Sequence, residues 1–343
     1  MPNPPTRSVL AFAFLVLAGV ARGDEIKVDS ATFPRPFLAG ANEGDVEGVI
    51  EASAVEPIGD GKLLLVAHDK QPGLRVVEAS TGRLVGPPLP CDGFPEGARR
   101  DPKWEGMARD SCGHYYVVGA HSGKDDAQRN PRTYALRFRL KGGDSPTIDP
   151  ESVRTWRPDD ALIKALRAEG LDAAAVARRK IEGLAVREHG GRTLLVFGLR
   201  EPDDLVRAFA ADITAAPPNG GSLTLTRLFT FRPGTREGVR SQLTSLDYLP
   251  AWGGFVVVTA TEDKQNAFHG NTLWFLADDR IPPSGLAEPV AFHVFEAAMK
   301  AEGLCTLPGA TPSAARLLVT FDNDPHATHI PSRFQVLTVS RHP

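Results

Sequence analysis

The chain has 343 residues, 42% of them apolar and 24% charged, and its 39 Lys and Arg against 42 Asp and Glu give a formal net charge of −3. That balance, with no basic stripe, excludes an electrostatic footprint for nucleic acid. The 33 Gly and 29 Pro disfavour long helices and suit many short strands joined by turns, which is an all-β composition.

The first element is a targeting segment. Arg7 precedes an apolar run from Val9 to Val20, and Ala21-Arg22-Gly23 supplies small residues for cleavage. The run is too short to span a bilayer comfortably, so residues 1–23 read as a cleaved signal peptide, with a retained membrane anchor as the alternative, and 24–343 as one exported, periplasmic or secreted, domain without a transmembrane span after cleavage. Cleavage removes Arg7 and Arg22 and leaves a net charge of −5. Export into an oxidising compartment admits one disulfide among Cys91, Cys112 and Cys305. Cys91 with Cys112 is the nearer pair, and the alternative is three buried thiols.

A Glu-Gly-apolar motif then recurs five times, at Glu47-Gly48-Val49, Glu105-Gly106-Met107, Glu182-Gly183-Leu184, Glu237-Gly238-Val239 and Glu302-Gly303-Leu304. In the first and fourth copies the motif sits further from the next turn, and Glu51 and Ser241 are the matching positions if that distance is the guide. Each copy is followed by a turn, a short apolar run (Leu63 to Ala67, Tyr115 to Ala120, Leu194 to Gly198, Phe255 to Ala260, Leu317 to Phe321), a polar loop and a third strand. Continuous apolar runs bounded by turn residues are strands buried on both faces. The motif glutamates lie 58, 77, 55 and 65 residues apart. Repeats of that length predict a β-propeller of four-stranded blades. Five blades is the reading, with six as the alternative if the long spacing hides a degenerate unit. Glu25 to Phe33 is expected to close the ring as the outer strand of the last blade. Residues 158–180, rich in Ala, Leu, Arg and Lys, are expected to form a helical insertion, either a solvated decoration or a lid.

A Glu at the start of each innermost strand places Glu47, Glu105, Glu182, Glu237 and Glu302 around the central channel. Converging carboxylates repel, and calcium or magnesium, or paired Arg and Lys, would compensate. The alternative role for Glu-Gly is structural, with the carboxylate holding backbone N–H groups and Gly supplying an unusual dihedral. The loops that share this end of the channel are polar: His68-Asp69-Lys70, His121-Ser122, Arg200-Glu201, Glu262-Asp263 with His269, and Asp322-Asn323-Asp324 with His326 and His329.

The ordered set of Glu47 to Val55, Trp104 to Arg109 with Val118 to Ser122, Ile181 to Ala185 with Phe197 to Arg200, Arg236 to Ser241, and Ala301 to Leu304 resembles a bacterial family, domain of unknown function 3616. The resemblance covers most of the chain after the signal segment and implies a propeller without an agreed activity. It is also distantly similar to phytase-like esterase domains and to six-bladed calcium-binding propellers, in which a Glu at a strand start can hold the central ion. Two function classes follow. One is a non-catalytic propeller that binds a small molecule or protein through its loop-rich face. The other is a metal-dependent hydrolase of phosphoesterase, esterase or lactonase type acting on a small anionic substrate, with His68 or His121 as general base and Arg200 orienting the substrate.

Overall fold

A computed structural model describes residues 25–38, 52–68, 73–201, 203–215, 223–265, 267–295, 300–322 and 332–342. The expected signal peptide and Glu47, Glu51, Asp69, Lys70, Asn323, Asp324, His326 and His329 lie outside the described residues. Among the described residues no helix is long and apolar enough to cross a membrane.

The chain begins with β1 (Glu25–Ala31) and a two-residue β2 (Arg35–Pro36). Blade one follows as β3 (Ala52–Ile58), β4 (Leu63–His68) and β5 (Leu74–Glu78), with its outer edge reduced to isolated bridges at Leu84 and Leu89. A short α1 (Glu96–Arg100) leads to blade two: β6 (Trp104–Arg109), β7 (His114–Gly119), α2 (Asp126–Arg129) in the intervening loop, β8 (Ala135–Lys141) and β9 (Thr147–Trp156). Helices α3 (Asp159–Ala168) and α4 (Ala173–Ala177) precede blade three, which is β10 (Lys180–His189), β11 (Arg192–Glu201), β12 (Val206–Asp212) and β13 (Thr226–Phe231). Blade four is β14 (Thr235–Arg236), β15 (Val239–Leu249), β16 (Gly254–Glu262), β17 (Phe268–Ala277) and β18 (Val290–Phe295). Blade five is β19 (Lys300–Thr306), β20 (Ala314–Asp322) and β21 (Arg333–His342), completed by β1 in the order β1-β21-β20-β19.

Five antiparallel meanders, the last closed by the N-terminal strand, make a five-bladed propeller. The six-bladed alternative falls because the long spacing holds the fourth strand β9 and the two helices rather than another sheet. The strands read as continuous apolar runs because each sheet is covered on both sides. Five apolar clusters among the described residues each join two neighbouring blades, for example Leu65 and Val76 with Val117 and Phe138, or Val196 and Phe229 with Leu243 and Phe255. The ring is closed by the cluster of Val55, Leu64 and Val66 with Leu318 and Phe334.

The helical insertion packs rather than hovers. Leu162, Leu166 and Val176 are buried in the cluster joining blades two and three, against Trp156, Ile181 and Leu195. It is a wedge in that joint and not a solvated decoration. All three cysteines are free: Cys91 is half-buried, Cys112 sits exposed in the β6–β7 turn and Cys305 is buried, so the Cys91–Cys112 pair is not formed.

Candidate functional site

The inner strands share one irregularity. Pairing with the second strand skips a single residue in each blade: between Ala52 and Ala54, Trp104 and Gly106, Ile181 and Gly183, Leu243 and Ser245, and Ala301 and Gly303. Each is a β-bulge, which re-aims a side chain while the strand continues. The skipped residues are Ser53, Glu105, Glu182, Thr244 and Glu302, and they form the true equivalent ring. Blades one and four therefore contribute hydroxyls in place of carboxylates. Ser53 Oγ donates to the Trp104 carbonyl at 2.5 Å, and Thr244 Oγ1 donates to the Ala301 carbonyl at 2.6 Å, each reaching the residue before the next blade's Glu.

The residue after each bulge is small: Ala54, Gly106, Gly183, Ser245 and Gly303. The reason is close approach. A Cβ on Gly106 would lie 2.8 Å from Leu184 Cβ, one on Gly183 would lie 2.8 Å from Leu246 Cβ, and one on Gly303 would lie 2.4 Å from Thr320 Oγ1 and 3.2 Å from Ala54 Cα. None of these three glycines has a positive φ, so the expected unusual dihedral is not their purpose.

Glu237 is different. It lies with Gly238 in the two-residue turn between β14 and β15, and both have positive φ, 51° and 78°. That is the backbone of a tight hairpin, for which residues tolerating positive φ are selected. Its carboxylate is exposed and meets His269 Nδ1 at 2.8 Å. Glu-Gly in blade four thus marks a turn, and neither Glu237 nor Ser241 is the equivalent of Glu105. In blade one the residue at the bulge is Ser53.

Around the axis the carboxylates are threaded with cations. Lys103 Nζ lies 2.9 Å from Glu105, and Lys180 Nζ lies 3.2 Å from Glu105 and also contacts Glu182. Arg200 bridges Glu182 at 3.3 Å and Glu262 at 2.6 Å, and its Nε donates to Gln242 at 3.1 Å. Lys300 bridges Glu262 at 3.4 Å and Glu302 at 2.5 Å. The result is one alternating chain, Lys103–Glu105–Lys180–Glu182–Arg200–Glu262–Lys300–Glu302, with four charges of each sign. Burial pushes the Glu182 carboxyl up, but Lys180, Arg200 and Lys300 outweigh it and hold it at about 2. Burial opposes charge on Arg200 and Lys300 too, yet the surrounding carboxylates raise both well above their ordinary values.

The three lysines stand two residues before Glu105, Glu182 and Glu302. The sequence signal was therefore Lys-x-Glu-Gly, of which only Glu-Gly was read. Glu105, Glu182 and Glu302 each contact the lysine two residues before them, and no three His, Cys, Asp or Glu side chains among the described residues are grouped to hold an ion.

The expected histidines part company. His68 ends β4 opposite Ala52, buried at this end of the ring. His121 lies away from the axis, fully buried with φ 58°. Its Nδ1 is 3.2 Å from Asp159 at the start of α3, and Asp159 is clasped by Arg179 at 2.8 and 2.7 Å. Burial pushes the His121 imidazole down, with Asp159 opposing. This group pins the helical wedge to blade two.

Arg200, Gln242 and Glu262 also form the floor of a cleft of about 500 Å³ at the loop-rich mouth. One wall is Gly238 to Arg240 and the other Asp263 to Gln265. Asp263 is committed to its own loop, accepting from the Gln265 and Ala267 N–H groups at 2.8 and 2.9 Å. Arg240 and Lys264 are exposed and make no ion pair or hydrogen bond among the described residues.

No protein-family model and no curated protein matches the sequence. Solved structures resemble it only distantly. The Cps50 (Swd1) β-propeller domain of Myceliophteria thermophila is 9% identical, over 83% of this chain and 96% of that one, with a TM-score of 0.38. The α-L-arabinofuranosidase of Podospora anserina is 12% identical, over 90% and 95%, with a TM-score of 0.45. A levansucrase of B. megaterium is 10% identical, over 97% and 90%, with a TM-score of 0.47.

Proposed function

We propose that this propeller is an exported binding protein that takes a small anion-bearing molecule in the cleft at its loop-rich mouth. One observation carries the reading: Arg240 and Lys264 line that cleft with no hydrogen bond or ion pair among the described residues, over a floor whose own charges are already matched. A concave site of this size with a few convergent polar groups is suited to a small ligand. Arg240 offers a planar fork to a carboxylate or phosphate, and Lys264 a compact charge opposite it. The matched floor keeps Arg200 and Gln242 fixed, so it positions the ligand without reorganising.

In this reading the axial carboxylates are neutralised by Lys103, Lys180, Arg200 and Lys300 in place of a divalent ion. Treatment with chelator should then leave the melting temperature unchanged. The direct test is calorimetry of the purified protein with inorganic phosphate, citrate and a sugar phosphate. At least one should bind with an affinity that falls as salt is raised. The paired substitution Arg240→Ala, Lys264→Ala should weaken it by about tenfold or more. Binding unchanged in the double variant, or no binding by any of the three, would overturn the reading.

A further inference from the structure

The opposite mouth of the channel has a different character. Three residues after each bulge the inner strands present Glu56, Ala108, Ala185, Asp247 and Cys305. Two acids and a thiol from adjoining blades four, five and one thus share one level of the axis. Unlike the first ring, this one has no lysine paired with its acids among the described residues.

Asp247 is partly satisfied. It accepts from Thr306 N at 2.8 Å and Thr306 Oγ1 at 2.6 Å through one oxygen, and from Tyr248 N at 2.8 Å through the other. Glu56 is not. It is only 5% exposed, and its carboxyl makes no hydrogen bond among the described residues. Both line a cleft of about 390 Å³ whose wall includes Arg109, Glu188, Tyr248 and Thr306. The Arg109 charge opposes the rise at Glu56 only in part, and its guanidinium makes no hydrogen bond to either acid among the described residues. Its guanidinium lies over the Tyr115 ring at 5.6 Å and reaches the Gly59 carbonyl at 3.4 Å, and its buried Nε has no partner. Glu188 is occupied by the Ser111 N–H at 2.9 Å.

A buried acid without a donor, facing a cleft beside a second acid, lacks a hydrogen-bond-donating cation. Burial and then the Asp247 charge push the Glu56 carboxyl well up, and burial pushes Asp247 up to about 6 against its three hydrogen bonds. Both groups would be relieved by the same guest. A bare metal ion is disfavoured by the missing third ligand, since no group of three His, Cys, Asp or Glu among the described residues is arranged for one. An ammonium carries three N–H donors, which match the carboxyl oxygens of Glu56 and the remaining lone pairs of Asp247.

We propose that this mouth of the channel binds the primary ammonium group of a small organic cation, with Glu56 and Asp247 as its acceptors. The site is separate from the anion cleft, at the other end of the inner strands, and does not depend on it.

The experiment titrates the full chain with n-butylammonium and with lysine blocked at both backbone ends, followed by calorimetry and by the 13C carboxyl signal of Glu56. Both amines are expected to bind and to shift that signal toward the ionised form. Either order of affinity supports an ammonium site: tighter binding of blocked lysine assigns its source to a protein side chain, and weaker binding to a free amine. Tetramethylammonium, which has no donors, should not bind. Glu56→Gln should weaken n-butylammonium by about tenfold or more, whereas Arg240→Ala with Lys264→Ala should leave it unchanged. Should Glu56→Gln fold poorly, the carboxyl shift in the parent decides alone. Equal binding of tetramethylammonium, an unmoved Glu56 signal, or no amine binding up to about 10 mM would overturn the proposal.

Discussion

Lys180 shows what a single side chain does on this axis. It touches Glu105 from blade two and Glu182 from its own strand, and both carboxylates are almost wholly buried. Burying a charge is tolerable only when it is paired, and removing one partner of a buried pair leaves the other uncompensated. Lys180→Met should therefore destabilise the fold by about 3 kcal/mol, the low end of the range for a broken buried pair. The low end applies because Lys103 still reaches Glu105 and Arg200 still reaches Glu182. Adding Glu105→Gln and Glu182→Gln to Lys180→Met should restore much of that loss, because the orphaned charges are then gone. Urea unfolding of the single and triple variants checks both statements. A single variant as stable as the parent would mean that the lysine is an ornament on the ring.

At the scale of the element, the recurring unit is a strand with a bulge followed by a small residue. The bulge turns one side chain toward the axis, and the small residue lets the next blade's inner strand come within contact distance. Gly183→Ala tests this coupling. The new Cβ would sit 2.8 Å from Leu246 Cβ and 3.0 Å from its backbone N, neither of which is the far end of a flexible side chain. Overpacking at a rigid joint costs about 1–3 kcal/mol, and blades three and four must separate slightly to admit the methyl. Gly238→Ala is the informative contrast. It meets nothing within 4 Å, and its penalty comes only from a φ of 78°, on the order of 1 kcal/mol. Thermal melting should rank Gly183→Ala below Gly238→Ala, and binding in the nearby anion cleft should be altered more by Gly238→Ala, whose turn forms that wall. The reverse ranking would show that the Glu-Gly repeat serves backbone conformation and not blade packing.

Across the whole molecule, what the sequence disclosed follows from which signals are repeated in kind. Strands covered on both faces leave continuous apolar runs, so the meanders, their number and the closing strand at Glu25–Ala31 were legible. The site was legible in part. Glu105, Glu182 and Glu302 stood out because one bulge geometry recurs with one residue pair. Ser53 and Thr244 did not, because they answer the same geometry with a different chemistry. Glu237 misled because a tight hairpin selects the same dipeptide as a close strand approach. Closure makes the last test. β1 buries only Ile26 well and is otherwise held by pairing with β21 along Glu25–Ala31. Ile26→Ala should cost about 2 kcal/mol, the low end for a buried Ile, through its lost place in the apolar cluster that joins blades four and five. It should leave the protein monomeric to the same degree as the parent. Deleting residues 25–31 instead uncovers β21 as a flat edge with unpaired N–H and C=O groups, a template for another chain. Phe37 still packs on Phe334 with ring centroids 5.0 Å apart and β2 still pairs with β21, so the truncated ring should hold its last blade and yet self-associate. Light scattering on the two variants, compared at equal fractional unfolding, separates lost stability from an exposed edge. If both scatter alike, the N-terminal strand acts only as hydrophobic cover and the ring is closed by its side chains.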